Sequence, residues 1–279
     1  MTFKATNLTP RIGARLETDL PSLLSGEHAG EIHRLLVDRG VLLIRGIAIT
    51  DEQQIAFTQT LGLHGDHDVG VIYKVSFDKA ENPTHADYNY GNFSWHIDRT
   101  DTDVPPYITI LAAKRLASEG GQTEFANTYA AWDDLPDEDK ALIGNLRVVH
   151  RVEASYREAL PDPTPEQLAQ WRTHAAKTHP LVWHHRSGRR SLITSMSGCE
   201  VVGMDKAEGD ALLSRLMAWA TRPEYVYLHE WQLGDIVLWN NTGTMHRARR
   251  YDTQCGRLMH RTVVQGDEPF DTGRAPLAA

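Results

Sequence analysis

The sequence predicts a mainly-β fold, a sandwich or barrel decorated by helices, and three observations carry that prediction. Short apolar stretches bounded by Gly and Asp recur through the C-terminal third, and the helical patterns concentrate earlier in the chain. Strands and helices also fail to alternate in the regular succession that a parallel βαβ sheet requires. The chain has 279 residues, enough to bury a sizeable core. At 41% hydrophobic and 24% charged it is neither disordered nor fibrous in composition. We expect one domain over 1–279, with a helical insertion at about 153–178 and no internal repeat.

Taken in order, residues 27–39 carry Ile32, Leu35 and Leu36 at helical spacing, and Gly40 can end that helix. The apolar run Val41–Ile44 reads as a buried strand. Asp51 is read as the N-cap of a second helix, closed by Gly62. From 62 to 92 the chain is rich in Gly, His, Asp, Asn and Tyr without periodicity, a length that marks a functional loop. Residues 107–116 read as a strand, Gly120-Gly121 as a turn, 123–125 as a short strand and 126–136 as helical. The polar stretch 161–179 carries one helix, and 179–196 is a hairpin turning at 186–189. Residues 205–221 form an amphipathic helix with Leu212, Leu213, Leu216 and Ala220 on one face. Strands at 224–231, 236–241 and 258–265 complete the pattern.

Charge and cysteine usage exclude several functions. Lys and Arg total 29 against 37 Asp and Glu, a net charge of −8, so no basic footprint exists for nucleic acid or an anionic membrane surface. Two cysteines, Cys199 and Cys255, exclude a disulfide scaffold and a four-cysteine zinc site, and they suit a reducing, cytoplasmic setting. The N-terminal MTFKATNLTPRIGARLETDLP lacks an apolar core, and no run of 18 apolar residues occurs. Neither export by a standard signal nor a membrane span is expected. A homo-oligomer is compatible with this composition.

The 14 histidines prompt a search for a metal site, although most are expected to be ordinary surface or half-buried residues. Non-haem iron enzymes hold Fe(II) with two His and one carboxylate on one face of the ion. His-x-Asp supplies two of these on a strand, because residues i and i+2 share a side. The motif occurs three times: His64-Gly-Asp66, His85-Ala-Asp87 and His96-Ile-Asp98. The first two lie in loop sequence. In the third, Phe93, Trp95 and Ile97 alternate with Ser94, His96 and Asp98, the pattern of a half-buried strand with a polar face. His246, beyond an apolar strand and a Gly turn, is a candidate third ligand, with His229, His260, His184 and His185 as competitors. Arg257, Met259 and Arg261 share one face of a predicted strand, placing two guanidinium groups inward and about 13 Å apart along it. Arginine suits bidentate recognition of carboxylates. Arg247, Arg249 and Arg250 are expected to be solvated, and an internal ion pair is the competing fate of Arg261.

Trp95-His96-Ile97-Asp98, the run from Gly120 through Thr123 to Ala131, and the stretch from Gly234 through Trp239 and His246 to Arg261 resemble the taurine dioxygenase family. The segment WNNTGTMHRARRYD is similar to its 2,4-dichlorophenoxyacetate dioxygenase branch. The resemblance covers about 11–266, with the motifs in order. It implies a double-stranded β-helix (jelly-roll) core with helical decoration, Fe(II), 2-oxoglutarate and O2. His96, Asp98 and His246 then match the metal ligands. Thr123 and Arg257, the latter eleven residues after His246, match the pair that docks the distal carboxylate of 2-oxoglutarate. Arg261 matches the arginine that holds an anionic substrate, and Asn92 a substrate-contacting asparagine. The implied enzyme is a hydroxylase of a small carboxylate or sulfonate that releases succinate and CO2. Where the hydroxylated carbon bears an ether oxygen or a sulfonate, the product falls apart. A metal-dependent hydrolase on the same scaffold is the alternative, and a non-catalytic binding module a third reading.

Overall fold

The computed structural model describes residues 3–65 and 72–271. The chain opens with β1 (Lys4–Asn7), β2 (Ala14–Glu17), α1 (Leu20–Ser25), α2 (Ala29–Arg39), β3 (Val41–Ile44) and α3 (Asp51–Leu61). Next come β4 (Tyr73–Val75), a 3-10 helix over Ala86–Phe93, β5 (Ile108–Arg115), β6 (Thr123–Asn127), α4 (Thr128–Asp133) and α5 (Asp137–Ile143). The middle of the chain forms β7 (Arg147–His150), α6 (Val152–Ala159), α7 (Pro165–Trp171), β8 (Lys177–Pro180), β9 (Val182–His184), β10 (Arg190–Leu192) and β11 (Gly198–Val201). It ends with α8 (Lys206–Ala220), β12 (Val226–His229), β13 (Ile236–Asn240), β14 (Thr244–Ala248) and β15 (Leu258–Val264).

The architecture is mainly β with flanking helices. A seven-stranded sheet runs β1-β2-β3-β13-β5-β15-β4, and a three-stranded sheet runs β12-β6-β14. Strand β5 shows how the layers stack. Ile108, Ile110 and Ala112 pack on Ile32, Leu36, Phe57 and Leu61 of the helices. On the opposite face Leu111 and Ala113 join Val237, Trp239 and Met259 of the same sheet and Phe125 of the smaller one. A strand covered on both faces reads as a continuous apolar run, which is why Val41–Ile44 is buried at every position. Each such aliphatic side chain contributes about 1.5–3 kcal/mol through burial. Gly40, at φ 72, stops α2 with its N–H on the Leu36 carbonyl and turns the chain into β3.

Several expectations are corrected. Thr50, not Asp51, caps α3, because its hydroxyl accepts from Gln53 N while Gln53 reaches back to the Thr50 N–H. The stretch 161–179 holds the one helix expected there, α7, and α6 precedes it. The stretch 62–92 holds β4 and a 3-10 helix rather than a continuous loop, although 66–71 lies outside the described residues. Strands β7, β8 and β11 form a further three-stranded sheet that polar sequence concealed. Among the described residues no helix is long and apolar enough to cross a membrane.

Candidate metal centre and its cavity

His96 does not lie on a strand. Its contact with β14 is a single antiparallel bridge to His246, made by two backbone hydrogen bonds of 3.0 and 2.9 Å. Ser94 leaves the 3-10 helix in extended conformation, and Arg99, at φ 58, turns the chain away directly after Asp98. The extended stretch is therefore too short for a ladder. The same-side placement of His96 and Asp98 survives because Trp95 and Ile97, both buried in the core, anchor the opposite side.

The metal-ligating atoms of His96, Asp98 and His246 all lie within 4.8 Å of one another, and all three residues are buried. Asp98 Oδ1 is 3.9 Å from His96 Nε2 and 3.8 Å from His246 Nε2. The second oxygen, Oδ2, accepts a 2.9 Å hydrogen bond from the Thr109 hydroxyl. His96 Nδ1 sits 2.8 Å from the Ser94 carbonyl, which fixes the ring and leaves Nε2 facing the centre. The His246 ring rests on Trp239, with centroids 4.6 Å apart.

Burial pushes the His96 pKa down, and pushes that of His246 down to about 3. Burial alone would raise Asp98, but the neighbouring histidines, Arg261 and the Thr109 hydroxyl outweigh it and bring the carboxyl to about 2. Two neutral imidazoles and one carboxylate therefore converge, with Arg261 Nη1 3.7 Å from Asp98 Oδ1 as the nearby cation. That donor set fits a divalent ion of the iron class.

The other His-x-Asp copies go elsewhere. His64 bridges Val264, a fixed geometry where loop sequence suggested none, and Asp66 lies outside the described residues. His85 sits directly before the 3-10 helix, while Asp87 pairs with Lys79 at the surface. The competing histidines are also engaged. His229 faces Asp235 at 3.2 Å, His260 faces Asp51 at 2.7 Å, and His185 faces the Ser191 hydroxyl at 2.8 Å. His184 sits half-buried on β9, in a hairpin with β10.

The two arginines do not share one strand face. Arg257 precedes β15, and the register shifts between Leu258 and Met259, so the simple alternation breaks there. Arg257 is 5% exposed, donates to the Gly121 carbonyl at 3.2 Å and lies over the Tyr251 ring. Among the described residues no carboxylate pairs with it, and burial draws its pKa down. A buried guanidinium without an anion is costly. Gly121, at φ 74, allows this close approach, since a Cβ there would stand 3.2 Å from Arg257 Nε, and Gly120, at φ 73, lets the Arg250 carbonyl pack against the same turn. Thr123, two residues on, accepts from Trp231 Nε1 at 2.9 Å, which leaves its own hydroxyl proton to donate.

Arg261 points to Asp98, with Nη1 3.7 Å from Oδ1, and stacks over Tyr73, its cross-strand partner, at 4.6 Å. Arg247 and Arg249, expected to be solvated, are 38% and 51% exposed and also clamp the buried Glu124 at 2.6 and 2.9 Å. A cavity of about 850 Å³ is lined by His96, Asp98, Arg261 and Asn92, with Tyr73 and Tyr156 on its wall. Asn92 donates to Asn89 Oδ1 at 3.1 Å. Tyr88 also faces this cavity, its ring centroid 4.3 Å from that of Tyr156. Sequence reasoning missed Thr109, Tyr73 and Tyr251. Only Thr109 left a signal, as a lone hydroxyl inside the apolar run of β5.

Comparison with known proteins follows this geometry. A family model described as taurine catabolism dioxygenase TauD, TfdA family matches residues 4–263. The chain is 33% identical over 286 residues to the alpha-ketoglutarate-dependent 2,4-dichlorophenoxyacetate dioxygenase of Cupriavidus pinatubonensis, covering 96% of this chain and 99% of the relative. It is 30% identical over 275 residues to an alkylsulfatase of Acinetobacter baylyi, covering 93% and 84%. The crystal structure of AAD-2 in complex with Mn(II) and N-oxalylglycine superposes with a TM-score of 0.86 at 33% identity, covering 97% of this chain and 99% of that one.

Proposed function

The chain belongs to the taurine catabolism dioxygenase TauD, TfdA family, and from that premise we propose that His96, Asp98 and His246 hold its Fe(II). We further propose that Arg257 and Thr123 dock 2-oxoglutarate, and that Arg261 and Asn92 face the substrate. The enzyme is an Fe(II)- and 2-oxoglutarate-dependent dioxygenase acting on a small molecule, with succinate and CO2 as co-products. The hydrolase alternative is dropped, because relatives at 33, 31 and 30% identity are named alpha-ketoglutarate-dependent dioxygenases. We read the two facing sheets as a double-stranded β-helix core within one domain, and the cytoplasm as the compartment.

The observation that carries the site assignment is the convergence of two neutral imidazoles and one ionised carboxylate at the end of a cavity. Bound there, Fe(II) supplies the activation of O2 for oxidation of the keto acid and substrate. The protein's own work is positioning. The Ser94 carbonyl aims His96 Nε2 inward, and Thr109 occupies the Asp98 oxygen that turns away. The unpaired, buried Arg257 is matched by the distal carboxylate of 2-oxoglutarate, to which Thr123 donates its hydroxyl proton. Arg261 offers a second guanidinium to a substrate anion, a carboxylate or sulfate-type group. Tyr73, Tyr88 and Tyr156 give that anion's body an aromatic wall. We therefore infer a substrate with one anionic end and an apolar, aromatic body, in keeping with the dichlorophenoxyacetate named for one relative.

Two measurements test this. Anaerobic Fe(II) with 2-oxoglutarate is expected to give a weak visible charge-transfer band, which a protein that does not chelate both together cannot produce. A succinate-release screen is expected to favour aryloxy acids over neutral aromatics and over short aliphatic sulfonates. Equal rates with neutral aromatics would remove the anion from the proposal.

A further inference from the structure

We propose that Trp239, Asn241 and Thr109 form a one-way hydrogen-bond chain that dictates which oxygen of Asp98 is offered to the metal. This inference rests on the metal-site reading above. Trp239 on β13 is the register partner of Thr109 on β5, and Asn241 follows directly after β13. Trp239 is 2% exposed, and Thr109 and Asn241 are fully buried, so water does not complete or replace these contacts.

The direction follows from donor chemistry. An indole N–H can only donate. Trp239 Nε1 lies 2.9 Å from Asn241 Oδ1, so the carbonyl end of that amide must face the indole. The Asn241 NH2 is thereby turned to the Thr109 hydroxyl oxygen at 2.8 Å. With its oxygen receiving that proton, the Thr109 hydroxyl has its single hydrogen to give, and Asp98 Oδ2 stands 2.9 Å away. None of the three carries a metal-ligating atom of the centre, yet Thr109 bonds Asp98 and Trp239 packs on His246, and the chain they form ends with Oδ2 accepting the Thr109 proton. The terminal torsion of an aspartate is broad and roughly two-fold, so its own rotamer preference does not choose between the oxygens. The chain makes that choice: Oδ2 is occupied, and Oδ1 remains toward both His Nε2 atoms. Thr109 and Asn241 are positioning residues acting through Asp98.

The test measures Mn(II) affinity of the full-length protein anaerobically, from the free-ion paramagnetic resonance signal, so no turnover is needed. Thr109→Val keeps the shape but removes the hydroxyl. It is expected to weaken Mn(II) binding about 10- to 100-fold, the usual effect of losing such a supporting bond. Thr109→Ser, which restores the donor, is expected to recover near wild-type affinity, a rescue that a packing role for the threonine methyl does not produce. Trp239→Phe leaves Thr109 untouched and frees the Asn241 amide to turn over, and is expected to weaken binding several-fold. Wild-type affinity in Thr109→Val overturns the proposal. If that variant does not fold, unchanged affinity in Trp239→Phe overturns it instead. Asp98→Ala separates the two levels: if it binds Mn(II) like the wild type, the metal-site reading fails, whereas if it alone loses Mn(II), only the chain fails.

Discussion

Arg261 Nη1 lies 3.7 Å from Asp98 Oδ1, the same oxygen that faces the Nε2 atoms of His96 and His246. The arginine proposed for the substrate is thus the neighbouring cation of the carboxylate proposed for the metal. Both fates considered for Arg261 in the sequence, an internal acid and an external anion, meet at one place. Its side chain is 27% exposed and lines the cavity, so the ion pair with Asp98 leaves part of the guanidinium open to it.

Replacing that arginine separates substrate from cosubstrate. Arg261→Met is expected to weaken substrate-triggered 2-oxoglutarate decay while 2-oxoglutarate binding persists. Parallel titrations of cosubstrate and substrate check this. Full turnover of an anionic substrate in the mutant would falsify the role of Arg261.

The proposed metal ligands predict a clean contrast among histidines. His96→Ala, Asp98→Ala and His246→Ala are each expected to lose stoichiometric Fe(II) and all turnover. His85→Ala, at the start of the 3-10 helix, is expected to retain the metal. His64→Ala removes a buried ring and is expected to lower stability while keeping the metal. Metal content after anaerobic loading and desalting distinguishes these outcomes.

Arg257→Ala is expected to raise the 2-oxoglutarate requirement, because it leaves a carboxylate unpaired in an enclosed place. Truncating one partner of such a pair costs about 2–5 kcal/mol, roughly 30-fold or more. Thr123→Ala removes one hydrogen bond to a charged group, worth about 1.5–3 kcal/mol. Metal affinity without the keto acid is expected to stay unchanged in both. An unchanged cosubstrate constant in Arg257→Ala would transfer the docking role to another cation.

Acid stability follows from histidines outside the centre. Burial depresses the pKa of His150 to about 3 and of His185 to about 3. Unfolded, each titrates near 6.5, so between these values the unfolded chain binds a proton that the folded chain refuses. Stability therefore falls as pH drops below about 6.5, by about 1.4 kcal/mol per pH unit for each residue. Asp98 acts in a separate window, since a carboxyl depressed to about 2 loses its contribution only below its ordinary value. Melting temperatures between pH 7.5 and 5 should decline in the wild type and decline less in His150→Gln. Identical slopes would remove His150 from the account.

Much of the fold was legible because local rules suffice for it. Gly40 ends α2, Val41–Ile44 forms a strand, and Asp205 caps α8, where its side chain accepts from Ala207 N. These depend on neighbours within one turn or one strand. The β7-β8-β11 sheet was not legible, because residues such as Lys177–Pro180 show no alternation and are held in extended form by pairing with a distant strand.

The centre divides along the same line. From the chain alone came the donor types, the choice of His96-Ile-Asp98 among three copies, and two arginines suited to anions. The sequence placed them by strand periodicity, yet His96 is held by one bridge to a residue 150 positions away, and Arg257 lies before a register shift. Only the tertiary structure decided that Arg261 faces Asp98, that Thr109 takes one oxygen of that carboxylate, and that Arg257 is buried without an acid. The physical reason is range. Backbone propensity acts over a few residues, whereas hydrogen-bond satisfaction and the balance of buried charge are settled only when distant strands close around the same small volume.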